Sequence, residues 1–205
     1  MLLEQDFNNS TLPCPTNLRN ATAKRRAEFL AGRVCAQQAL LRLAGKPHMP
    51  RQGADRMPIW PRGCVGSISH SNGLAAAVVA RQTDYRSLGM DLESSLDEGD
   101  CTDDLIYAIQ TRSERERLAS LHALTQGEAL TLAFSIKESV FKVLYPLVHT
   151  FFDFKDVELI QCDASGDANL RLLRSLNSEW RDGRELNAHF HVGNGYLLTW
   201  AAIEA

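Results

Sequence analysis

Asp91 and Glu93 stand two residues apart in Gly89-Met90-Asp91-Leu92-Glu93. On a strand, alternation projects both carboxylates from one face and puts Met90 and Leu92 on the other. Carboxylates held this close repel one another, and a hard divalent cation relieves the repulsion. Mg²⁺ takes one or two carboxylates and completes its shell with phosphate oxygens and water. The same pair would also suit the exposed acidic end of a strand, and spacing leaves both open. A second set lies in Phe134-Ser135-Ile136-Lys137-Glu138-Ser139-Val140-Phe141-Lys142. Glu138 and Lys142 are four apart on one helix face, as in a common surface ion pair worth about 0.3–0.5 kcal/mol. With Phe134, Phe141 and Tyr145 around them the two charges would be partly buried, where an unpaired charge is costly. The third set is Ser67-Ile68-Ser69-His70-Ser71. Alternation places the serines on one face and Ile68 with His70 on the apolar one, where His70 could bond a phosphate or serve as a satisfied core histidine. Adjacent strand residues point apart, which disfavours a Ser-His nucleophile. His189 and His191 have metal-compatible spacing but read as decoration of an outer strand face.

These residues need elements to hold them. Ala27, Leu30, Val34, Leu41 and Ala44 recur at helical spacing and predict a long amphipathic helix over 22–44. Asn20 or Thr22 would cap it, Gly45 and Pro47 would stop it, and Lys24, Arg25, Arg26 and Arg33 lie along it. A Pro- and Gly-rich loop follows over 53–63, then strands over 65–71 and 74–80 joined at Asn72-Gly73, and a third strand over 88–92. Helical patterns near 103–110, 113–122 and 127–145 come next, with Pro146 expected to end the last. Strands are predicted over 157–161, 170–173, 188–192 and 196–203. The second Asn-Gly, Asn194-Gly195, also lies between two strands, and each hairpin follows a long helix. The pattern suggests a duplicated α/β unit. Because Val192 stands where His70 does, only one copy would carry a site.

Composition narrows the field. The chain has 205 residues, 44% hydrophobic and 23% charged, as a soluble globular protein does. The N-terminus carries acids where a leader needs basic and apolar residues, and no run of about 20 apolar residues could span a bilayer. A cytoplasmic protein is expected. The five cysteines are odd in number and widely spaced, so neither a disulfide framework nor a zinc knuckle is indicated. Residues 1–62 hold 10 Lys+Arg against 4 Asp+Glu, a net +6, and the remainder is −9. Arginine outnumbers lysine 17 to 5, and its planar fork suits phosphate. An anionic ligand fits the N-terminal half, whereas a nucleic-acid partner would need a denser basic face with stacking aromatics.

Taken in order, these signals resemble the Sfp-type 4′-phosphopantetheinyl transferases, especially the EntD-like, enterobactin-synthase-activating branch. The likeness runs from about residue 20 to 145. It rests on the basic stretch 24–33, on Arg56-Met57-Pro58-Ile59-Trp60-Pro61 followed by 66–71, on Gly-x-Asp-x-Glu at 89–93, and on Phe-Ser-x-Lys-Glu-x-x-x-Lys at 134–142. Met90 stands where the family has Ile or Val, and Phe134 where many members have Trp.

The resemblance implies an α+β fold of two similar halves in pseudo-twofold relation, each with a small, largely antiparallel sheet and a long helix. The halves would be 1–88, on the coenzyme A phosphate side, and 89–205, with the acidic residues and catalytic helix, and the active site would lie at their junction. It implies transfer of the 4′-phosphopantetheine arm of coenzyme A to a serine of apo acyl, peptidyl or aryl carrier domains, releasing 3′,5′-ADP. Asp91, Glu93 and Glu138 would hold Mg²⁺, or Mn²⁺. Glu138, or a water it holds, would act as base and Lys142 would stabilise the pyrophosphate. Arg25, Arg33, Arg56, Ser69 and His70 would grip the phosphates and adenosine end. The chain is expected to be a monomer with neither nucleic-acid nor membrane partners. An inactive carrier- or coenzyme-A-binding module and a metal-dependent phosphodiesterase remain as rivals. The intact Asp91, Glu93, Glu138 and Lys142 weigh against the first, and the lack of further clustered acids and histidines against the second.

Overall fold

A computed structural model describes residues 15, 18–120 and 124–205. The N-terminal acids and Cys14 lie outside the described residues, as does the end of the helix predicted over 113–122. The chain is α+β and forms two compact units, one of residues 1–88 with 204–205 and one of residues 89–203.

In the first unit α1 (Ala23–Ala44) packs on the hairpin of β3 (Cys64–Ser71) and β4 (Leu74–Arg81), preceded by the short pair β1 (Arg51–Gln52) and β2 (Pro58–Ile59). Thr22 is the N-cap, accepting from the Arg25 amide, and Gly45 closes the helix in the left-handed region at φ 69°. The apolar stripe differs from the predicted one. The buried residues are Phe29, Leu30, Gly32, Arg33, Ala36 and Leu40, while Leu41 is 39% exposed. The close approach at Gly32, where an added Cβ would fall 2.6 Å from Ile68 Cγ2, sets which face turns inward. A charged residue on that face, Arg33, hid the stripe from an apolar count. The hairpin turn is type I′, with Asn72 and Gly73 at φ 45° and 88° and Ser71 opposite Leu74.

The second unit holds a five-stranded sheet in the order β5 (Tyr85–Ser94), β9 (Tyr196–Glu204), β8 (Glu185–Gly193), β7 (Asp167–Leu172), β6 (Val157–Cys162). Helices α2 (Asp103–Ile109), α3 (Arg112–Ala119) and α4 (Gln126–Val148) complete it. Asn194 and Gly195 form the second turn with positive φ. Helix α4 is buried nearly all round and forms the centre of the core with Leu159, Leu170, Leu172 and Leu197. Pro146 does not end it: the helix runs on to Val148, and His149 closes it in the left-handed region with its amide on the Tyr145 carbonyl at 2.9 Å. Proline removes the N–H that position 142 would receive, but this touches the last turns only, and buried Val143 and Leu144 anchor them.

β6 is one outer strand of this sheet, and α3 covers its open edge. Arg117 Nη1 donates to the Leu159 carbonyl and the Leu159 amide donates to Glu114 Oε1 at 2.6 Å. Unpaired edge groups are satisfied rather than left as a pairing surface.

Candidate active site

β5 and α4 touch backbone to backbone. A Cβ at Gly89 would lie 1.9 Å from the Ser139 carbonyl oxygen and 2.7 Å from the Val143 nitrogen. The helix can approach only because position 89 has no side chain. Two residues along β5, Asp91 is 2% exposed. Its Oδ2 accepts from Ser135 Oγ at 2.8 Å and its Oδ1 from Lys142 Nζ at 2.6 Å. An exposed acidic strand end is thereby ruled out at Asp91. Met90 and Leu92 are buried on the opposite face, and Glu93, at the strand end, is half-buried.

Glu138 is half-buried one turn before Lys142 on α4. Burial pushes its carboxyl above the usual value, the charges of Asp91 and Glu93 push the same way, and Lys142 opposes them. Glu138 thus lies within reach of the charges of Asp91, Glu93 and Lys142. Among the described residues, no three His, Cys, Asp or Glu side chains form a ready-made metal cage. Mg²⁺ is held by protein carboxylates together with substrate phosphates and water. The hard oxygen donors of Asp91 and Glu93, with the cationic Lys142 already drawn to Asp91 Oδ1, are a fitting donor set.

Beside Glu138 opens a cavity of about 100 Å³ walled by Phe141, Phe151, Phe152, Phe154 and Val157. Phe141 is its hub, with ring centroids 5.1 Å from Phe152, 5.5 Å from Phe151 and 5.2 Å from Tyr145. Lys137 lies behind the site. Its ammonium is buried and donates to Glu114 Oε2 at 2.8 Å, the Ile109 carbonyl at 2.9 Å and the Phe154 carbonyl at 2.8 Å. Glu114, fully buried, also accepts from the Thr111 amide at 2.6 Å within the α3 capping box. The pair joins α2, α3, α4 and the turn bearing Phe154. Sequence reasoning assigned neither residue a role, although Thr111-x-x-Glu114 is a readable capping box. Removing one partner strands a buried charge, so Lys137→Met or Glu114→Gln alone is expected to cost roughly 3 kcal/mol, and the double variant less than the two together. Denaturant unfolding of the three variants measures this coupling.

The phosphate-gripping residues predicted for the first half all lie in the first unit. Arg25 Nη1 donates to His70 Nε2 at 2.8 Å, and His70 Nδ1 lies 3.6 Å from Glu28, so the neutral ring carries its proton on Nδ1. His70 therefore faces α1 and its charged residues. Ser67 and Ser69 are more deeply buried than Ile68 and His70, the reverse of the expected polarity of β3. Arg33 is 5% exposed, stacks 4.5 Å from the Phe29 ring centroid, and has an Nε without a hydrogen-bond partner. Burial brings its pKa down to about 10. Arg56 is exposed at the turn between β1 and β2, with φ 70°.

A family model described as the 4′-phosphopantetheinyl transferase N-terminal domain matches residues 15–80, and one described as the 4′-phosphopantetheinyl transferase superfamily matches residues 87–201. The chain is 37% identical over 193 residues to the 4′-phosphopantetheinyl transferase Svp of Streptomyces mobaraensis, covering 92% of this chain and 76% of that one. It is 36% identical over 192 residues to enterobactin synthase component D of Salmonella typhi, covering 94% and 78%. With the 4′-phosphopantetheinyl transferase Npt of Nocardia iowensis it shares 33% over 194 residues, covering 89% and 84%. Among the described residues no helix is long and apolar enough to cross a membrane.

Proposed function

Because the chain belongs to the 4′-phosphopantetheinyl transferase superfamily, we propose that it moves the phosphopantetheine arm of coenzyme A onto the serine of an apo carrier domain, with Glu138 as base. The observation that carries this is the charge cluster of Asp91, Glu93, Glu138 and Lys142 beside an aromatic-walled cavity. Asp91 and Glu93, with Glu138, would hold Mg²⁺, which neutralises charge on the pyrophosphate. Glu138 takes the proton of the carrier serine as its oxygen forms a bond to the phosphorus of the arm. The phosphoanhydride bond breaks, and its electrons leave on 3′,5′-ADP. Lys142 can turn from Asp91 to a phosphate oxygen. The apolar cavity suits the uncharged arm, and Arg25, Arg33, Arg56, Ser69 and His70 are assigned to the phosphates and adenosine of coenzyme A.

Incubating the chain with coenzyme A, Mg²⁺ and an apo carrier protein should add about 340 Da to the carrier, and a chelator should prevent it. Absence of any gain with acyl, aryl and peptidyl carriers would refute the assignment. A base must be ionised to act, so activity should fall as pH drops through the raised pKa of Glu138, placing the acid limb above that of a free glutamate. Higher Mg²⁺ favours the ionised carboxylate and should move the limb to lower pH, as rate profiles at two Mg²⁺ concentrations would show.

A further inference from the structure

Asp91 is held by a chain of hydroxyls that reaches well beyond the motifs. Ser135 Oγ donates to Asp91 Oδ2 at 2.8 Å and lies 3.0 Å from Thr199 Oγ1. Thr199 Oγ1 is 2.7 Å from Ser139 Oγ and 2.9 Å from the Ser135 carbonyl, and Ser139 Oγ donates to the Thr199 carbonyl at 3.0 Å. All three hydroxyl residues are fully buried. A carboxylate only accepts, so the Ser135 hydrogen is committed to Asp91, while the single Thr199 hydroxyl hydrogen goes to the Ser135 carbonyl and braces the residue that holds Asp91. This network acts on the carboxylate through Ser135. It ties β5 to α4 and to β9, the neighbouring strand of β5 in the sheet.

We propose that Ser135 and Thr199 are positioning residues for Asp91: they fix the plane of its carboxylate by holding Oδ2, so that Oδ1 is presented to a cation. This rests on the metal role assigned above to Asp91. Lys142 Nζ at Oδ1 shows that this oxygen is the cation-facing one. A core needing only to be filled at these positions would be served by Ala and Val. Ser135 bonds the buried acid directly and Thr199 braces Ser135, as outer partners orient metal ligands elsewhere.

The test is Mn²⁺ binding to the intact chain, with and without coenzyme A, followed through the paramagnetic signal of free Mn²⁺, alongside thermal unfolding. Ser135→Ala and Thr199→Val should weaken Mn²⁺ binding by roughly 10-fold or more, the scale of outer-shell losses. Thr199→Ser, which restores the hydroxyl, should bind as the parent does. Folded Ser135→Ala or Thr199→Val protein with parental Mn²⁺ affinity would overturn the proposal, even with a lowered unfolding temperature. If Thr199→Ser bound as weakly as Thr199→Val, the methyl rather than the hydroxyl would matter, and the proposal would fall. A parent chain that binds no Mn²⁺ under either condition would overturn the metal role of Asp91 itself, a failure seen before any variant is made.

Discussion

Gly89→Ala is expected to leave little folded protein. The added methyl would overlap the Ser139 carbonyl and the Val143 amide, both backbone groups of a helix whose surroundings are core. Flexible side chains can swing aside, but here α4 would have to lift from β5, opening the packing around Val140, Val143 and Leu144. Overpacking a tight core typically costs about 1–3 kcal/mol when side chains can adjust. With backbone on both sides the cost should approach the whole stability of a domain, about 5–15 kcal/mol. Circular dichroism and denaturant unfolding of the variant check this. A cooperative transition near that of the parent would mean that α4 sits farther from β5 than described.

Glu138→Gln should do the opposite, preserving the fold and removing function. Loss of the base is expected to lower turnover by about 10²- to 10⁴-fold. Burial raises the Glu138 carboxyl above its ordinary value, so its contribution to stability is complete below the ordinary carboxylate range and is lost as pH rises through the raised value. Once ionised, the side chain is therefore a liability that neutral glutamine relieves. The unfolding temperature at pH 7 should hold or rise while carrier labelling collapses. Labelling within a few-fold of the parent would remove Glu138 from the base role.

Much of this was legible in the sequence because it depends on short-range spacing. Asp91 and Glu93 share a face through strand alternation, Glu138 and Lys142 through helical periodicity, and the two Asn-Gly turns close hairpins in the register their φ values require. What stayed hidden depends on tertiary contact. No local pattern pairs Lys142 with Asp91, 51 residues away, or Lys137 with Glu114, 23 residues away. Thr199 lies in an apolar stretch, between Leu198 and Trp200, where a single hydroxyl carries no signal. The buried face of α1 was misread because Arg33 occupies it, and Pro146 because packing, not propensity, keeps the helix intact to Val148. Membership of the family was readable for the same reason as the site: the motifs that define it are contiguous.

The aromatic wall beside Glu138 bears on a choice every group-transferring enzyme faces. Water can attack the same phosphorus as the carrier serine, and a base that activates one can activate the other. Phe141, Phe151, Phe152 and Phe154 offer water no hydrogen bond, leaving Lys137, Glu138 and Asp153 as the polar part of that lining, and burial raises the Glu138 carboxyl there. Yet Phe151 is 72% exposed at the edge of the wall. If coenzyme A binds here as proposed above, these surroundings disfavour its hydrolysis while leaving the site open to a protein-borne serine.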